Sequence, residues 1–204
     1  SATSTNTPTS TPTATPTPTR TPAPVVVTEV LYDPAGNDTG FEVVELYNRS
    51  ANPISLTGYD LRAGTAGYYT LPACTLDSYD FVAIHVNASG TNTLHHLYTG
   101  PMDGNMSNTS ASVALFNSTT HNAQTMVDFA QYGAGGQTWE SAAQDAGLWT
   151  VGDYATGVAE GSSINLYPNG DDNHRGSDWR ACYPTANDTN CTGIVGDPSQ
   201  TFLP

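Results

Sequence analysis

There is no lysine in this 204-residue chain, and Arg20, Arg49, Arg62, Arg175 and Arg180 are its only strong cations. Against them stand 19 acidic residues, giving a net charge of −14. Phosphate backbones are held by basic stripes, so this balance argues against a nucleic-acid partner. It argues equally against docking on an anionic lipid surface. Long apolar runs are lacking too; none approaches a membrane span, and no membrane insertion is expected. Catalytic and cofactor motifs are missing as well. His85, His95, His96, His121 and His174 are scattered without H-E-x-x-H spacing, and there is no C-x-x-C, G-x-S-x-G or P-loop. The expectation is a protein that is not an enzyme and carries no cofactor. Two carboxylates meeting from distant parts of the fold are the one hydrolytic arrangement a sequence cannot reveal.

Cysteine is scarce, at three residues. Cys182 and Cys191 flank the polar loop YPTANDTN and are expected to pair, closing a loop of about ten residues and contributing roughly 2–3 kcal/mol. Such a bridge points to an oxidising compartment. Cys74 is left over. It reads as a buried core thiol, as a bridge between subunits, or as a competitor for one of the other two cysteines.

What is abundant lies first at the N-terminus. Residues 1–24 alternate Thr and Pro without any apolar period. Proline removes backbone donors and fixes φ, which excludes helix and central strand. Such a segment extends as polyproline II, roughly 70 Å if straight at on the order of 3 Å per residue. Thr/Pro tracts of this kind are typical O-glycosylated stalks, with Thr7, Thr9, Thr11, Thr13, Thr15, Thr17, Thr19 and Thr21 as acceptors. The other reading is a bare linker. Ser1 has no Met before it, as in a chain matured by signal cleavage.

Residues 25–204 form the second unit. Asn-x-Ser/Thr occurs here at Asn37, Asn48, Asn87, Asn105, Asn108, Asn117, Asn187 and Asn190. Chance would give roughly two or three such sites. Most fall in expected loops, where a glycan would clear the core and blunt strand edges. The expected partners are therefore covalent glycans and, for reasons given below, other copies of the chain. Two oxygen-rich turns are the best places for calcium: one holds Asp33 and Asp38, the other Asp171 and Asp172. Neither matches an EF-hand loop, and turn capping by Asx residues is the favoured reading of both. Trp139, Trp149 and Trp179, with eleven tyrosines, could build a sugar-binding platform, although core or interface packing accounts for most of them.

The folding pattern is set by Val25 to Arg62. VVVTEVLY is β-branched and ends in a Pro/Gly/Asn turn; FEVVELYN alternates, with Val44 and Leu46 on one face and Glu45 and Tyr47 on a wet face. A turn then leads into ISLTGYDLR. YYTLP follows, and then DSYDFVAIHVN, which is apolar on both faces and central. ASGTNTLHHLYTGPMDGNMSNTS reads as a long polar excursion. SVALFN, TMVDFAQYG and SSINLYP are further strands, Trp139 to Ala146 a helical turn or two, and SDWRACYP the closing segment. Seven to nine strands with turn residues between them suit an all-β immunoglobulin-like sandwich.

EVVELYNRSANPISLTGYDLR, followed by YYTLPACTLDSYDFVAIHV, resembles the lamin-tail domain family. SSINLYPNGDDNHRGSDWRACYPT is similar to the segment closing secreted prokaryotic members. The similarity covers about residues 25–190, and Cys74 departs from the small residue more usual there. The resemblance implies an immunoglobulin-like sandwich acting as a non-catalytic module. With the two glycan signals, it leads to an extracellular or cell-surface structural subunit that stacks on copies of itself in a filament or layer. The alternative is a stalked adhesion or polysaccharide-binding module.

Overall fold

β-branched residues lose little in extended backbone and pack well on a pleated surface. In the computed structural model, which describes residues 22–186, the run VVVTEVL forms β1 (Val25–Leu31) and VVELYN forms β2 (Val43–Asn48) antiparallel to it. There follow β3 (Ile54–Ser55), β4 (Asp60–Ala63), β5 (Tyr68–Thr70), β6 (Thr75–Leu76), β7 (Phe81–His85), β8 (His96–Tyr98), β9 (Ala111–Phe116) and β10 (Met126–Tyr132). A short helix, α1 (Glu140–Asp145), precedes β11 (Ser163–Leu166), and a 3-10 turn at Gly176–Asp178 leads into β12 (Trp179–Cys182).

The larger sheet has the order β12-β11-β1-β2-β7-β8, the second β10-β9-β4-β5, and β3 pairs with β6 alone. This is the all-β sandwich the sequence leads one to expect. Val30, Val44, Leu46 and Ile84 of the first sheet and Leu61, Val113, Leu115 and Phe129 of the second belong to one continuous buried core. Tyr32 and Tyr132 stack at 3.8 Å, and the Tyr32 hydroxyl accepts a hydrogen bond from Val158 N. Among the described residues, no helix is long and apolar enough to cross a membrane.

Four details differ from the sequence expectation. ISLTGYDLR is two strands, because a turn at residues 56–59 closes with Tyr59 N donating to Leu56 O and places Gly58 at φ +78°. The polar excursion contains β8, which pairs parallel with β7 in register Ala83–His96 to His85–Tyr98. A two-residue strand, β6, lies just past Cys74. The fourth difference concerns the face of β2 expected to be wet. Glu45 is completely buried. It lies opposite Glu29 of β1 and Ala83 of β7, and accepts a hydrogen bond from Thr28 Oγ1 at 2.7 Å. Thr28 is the extra residue of a bulge in β1, where the register shifts between Val27 and Glu29. Cys74 is a buried free thiol in the core cluster, as the first of its three readings has it.

Candidate functional site

A transferase needs access to an asparagine amide nitrogen, so each acceptor motif can be judged by what its side chain does. Asn37, Asn105 and Asn117 are exposed on loops. Asn108 is exposed too, but its Nδ2 donates to Asp33 Oδ1 at 2.8 Å and to Asp38 Oδ2 at 3.1 Å. Asn87 is half-buried at φ +55°, with Nδ2 on Gly104 O and Oδ1 accepting from Met102 N. Asn48 corrects the sequence expectation. It is fully buried, and its Nδ2 donates to Asn52 O, Leu76 O and Asp77 O. Its Oδ1 accepts from Ser50 N and Ser50 Oγ. The motif at Asn48 is a structural knot tying β2 to the β3–β6 pair, with no room for a sugar. Asn187, Asn190, Cys191 and the threonines from Thr7 to Thr21 lie outside the described residues. Cys182, the expected partner of Cys191, is buried at the end of β12.

The two calcium candidates part company. Asp33 Oδ1 and Asp38 Oδ2 both accept from the Asn108 amide, which links the two carboxylates. The partial burial of Asp33, and then the charges of Asp38 and Glu160, push its carboxyl above its ordinary value. Asp171 is exposed and takes no part in a cluster. Asp172 turns inward, and its side chain is 4 % exposed.

There it meets a residue singled out by no sequence motif. Asp128, in the middle of β10, is buried, and its Oδ2 accepts a hydrogen bond from Val27 N at 2.6 Å. The last β11 residue paired with β1 is Asn165, opposite Glu29, so Val27 lies past the end of that ladder. Asp128 supplies the missing acceptor. Its strand also shifts register between Met126 and Asp128, so bulges in both sheets face each other here. His174, at φ +63°, completes the group, with one donor atom each from Asp128, Asp172 and His174 within 4.8 Å of one another. His174 N donates to Asp172 Oδ1 at 2.8 Å. His174 Nδ1 lies 3.0 Å from Asp172 Oδ2, an ion-pair contact between two buried atoms that falls outside regular hydrogen-bond geometry.

The two carboxyls are driven apart electrically. Burial, and then the neighbouring Asp172, push Asp128 well above the ordinary value. Burial would raise Asp172 too, but the contact and charge of the His174 ring, with the bond from His174 N and Arg49 nearby, hold it below. Arg49 directs its Nε to Ala23 O and its Nη1 to Gly170 O.

A second buried acid, Glu42, accepts from Met106 N through Oε1, whereas its Oε2 has no partner. Burial raises its carboxyl to about 7, with Asp38 adding to the rise. The three tryptophans are taken up by packing. Trp149 packs edge-on to Phe129, and Trp139 packs against Phe116 while donating from Nε1 to the Tyr68 hydroxyl. Trp179 is 8 % exposed in β12.

Asp128 was legible in principle. A carboxylate inside the otherwise apolar run MVDFA must find a partner or leave the sheet. His174 and Arg49 carried no such sign.

Comparison with known families matches residues 18–134 to the Lamin Tail Domain. No curated protein matches the chain.

Proposed function

The chain belongs to the lamin tail domain family, a family of non-enzymatic immunoglobulin-like domains, and from that premise we propose that it is a glycosylated extracellular structural module. It stacks on copies of itself in a surface filament or layer. The observation carrying this reading is where the N-terminal segment enters the domain. It leads directly into β1, which lies inside the larger sheet between β11 and β2. Its last residues are tied down by Arg49, whose backbone N donates to Pro24 O and whose Nε donates to Ala23 O. A pull on that segment loads a ladder bonded on both sides, a sound arrangement for a module that bears load.

Exposed Tyr79 and Leu94, at 59 % and 66 %, offer apolar surface for contact between copies. Asn37, Asn105 and Asn117 are the N-glycan acceptors in this reading, and the Thr/Pro segment carries O-glycans. A Cys182–Cys191 bridge, expected from the sequence, would fit secretion. Intact mass spectrometry with negative-stain microscopy of native material tests it. A mass spread above 21.4 kDa, together with ordered assemblies, is expected. A bare mass and monodisperse monomers would overturn the reading.

A further inference from the structure

The Asp128–Asp172–His174 group stands apart from anything a load-bearing sandwich requires. Buried polar atoms are normally paired, because leaving one unpaired is destabilising. Asp172 Oδ2 and His174 Nδ1 break that rule together. They approach to 3.0 Å as an ion-pair contact, neither makes a hydrogen bond of regular geometry, and the Asp172 side chain is 4 % exposed. With the ring proton of His174 on Nε2, Nδ1 presents a lone pair beside that of Asp172 Oδ2, and the two atoms are then arranged as ligands to a shared cation. Asp128 adds a carboxylate from the opposite sheet, with all three donors within 4.8 Å. The nearby guanidinium of Arg49 uses its Nε and Nη1 on backbone carbonyls, which leaves these oxygens available.

We propose that Asp128, Asp172 and His174 bind one divalent cation of the zinc or manganese kind. The imidazole nitrogen decides the class: calcium and magnesium take oxygen ligands, whereas zinc and manganese accept a mixed set. The ion enters past His174, whose side chain is 29 % exposed. It fastens the loop carrying Asp172 and His174 to β10, beside the point where Val27 of β1 meets Asp128. The cation thus joins the two sheets close to where the N-terminal segment is anchored. This assignment is independent of whether the protein assembles or carries sugar.

The test is calorimetric titration and thermal melting of the chelator-treated chain with zinc, manganese, calcium and magnesium chlorides. One equivalent of zinc or manganese should bind. At a hundredfold excess over Kd, the melting temperature should rise by roughly 5–10 °C. Asp172→Asn keeps the acceptor for His174 N, and His174→Gly suits the left-handed backbone; each should weaken binding at least about tenfold. The His174→Gly change lies on a partly exposed loop and keeps the test open if the Asp172 variant does not fold. The pair His85 and His96, with ring nitrogens 3.0 Å apart, is the rival zinc site. His96→Gln should therefore leave the measured binding unchanged. The proposal fails if no cation binds, if calcium outcompetes zinc and manganese, if binding survives both ligand variants, or if it disappears with His96→Gln.

Discussion

Two clusters of buried acids flank the bulge in β1, and they are finished differently. Beyond the bulge, both oxygens of Glu29 are saturated. Ser163 Oγ donates to Oε1 at 2.6 Å, Thr185 N reaches both oxygens, and Thr185 Oγ1 donates to Oε2. Asn165 backs Ser163 with a further bond. Burial still raises the Glu29 carboxyl above its ordinary value, while the bonds from Ser163 and Thr185 work against that rise. Before the bulge, Val27 leads to Asp128, and there Asp172 Oδ2 and His174 Nδ1 meet as an ion pair without a regular hydrogen bond. A network complete in itself specifies a fold; one left incomplete at two converging atoms has room for something else.

That contrast can be broken at its strongest point first. Glu29→Ala strands the hydroxyls and amide that converge on it, and should cost about 2–4 kcal/mol in urea denaturation. A loss below the experimental error would mean the saturated cluster is not structural. Asn48 is complete in the same way, through its amide. Asn48→Ala should cost about 1–3 kcal/mol, and peptide mapping of native protein should find that asparagine unmodified.

Glu42 belongs to the incomplete class. Its folded carboxyl lies at about 7 against an ordinary 4.5, so the folded state holds the proton more tightly than the unfolded chain. Its contribution is greatest at acid pH, and stability falls as pH climbs from near 4.5 through about 7. The groups sharing its field are Asp38 and Tyr132. Glu42→Gln should flatten the stability profile between those limits by about 1–2 kcal/mol. An unchanged slope would remove Glu42 as its source. The smallest effect belongs to the Asp172–His174 pair. In metal-free buffer, His174→Gly should cost about 0.5–1 kcal/mol, since glycine tolerates the positive φ and what is lost is the partly exposed ring's ion-pair contact with Asp172.

How much of this was readable in the chain follows from which forces are local. Period-2 alternation and β-branching located β1, β2, β7, β9, β10 and β11, because strand propensity and turn chemistry act over a few residues. β8 escaped because its register depends on a parallel neighbour eleven or more residues away, and His96 and Tyr98 give no apolar alternation. Glu45 misled for a related reason. A charged residue in an alternating strand marks a wet face unless the sheet folds something over it. Here a bulge residue, Thr28, supplies the partner. The site was half legible. The turn around Asp172 stood out for its oxygen-rich residues, but only the packing of β10 against β1 brings Asp128 to it.

The knot at Asn48 also constrains the order of events in the making of this protein. Its Asn-Arg-Ser triplet is a valid acceptor while the chain is unfolded and is sealed once β2 closes against the β3–β6 pair. A sugar added during translation would lodge where three carbonyls must converge, and that molecule could not finish folding. A cell that decorates this chain therefore does so after the sandwich has closed, or with a transferase that passes over Asn48. Folding speed would then decide how much usable protein the cell obtains.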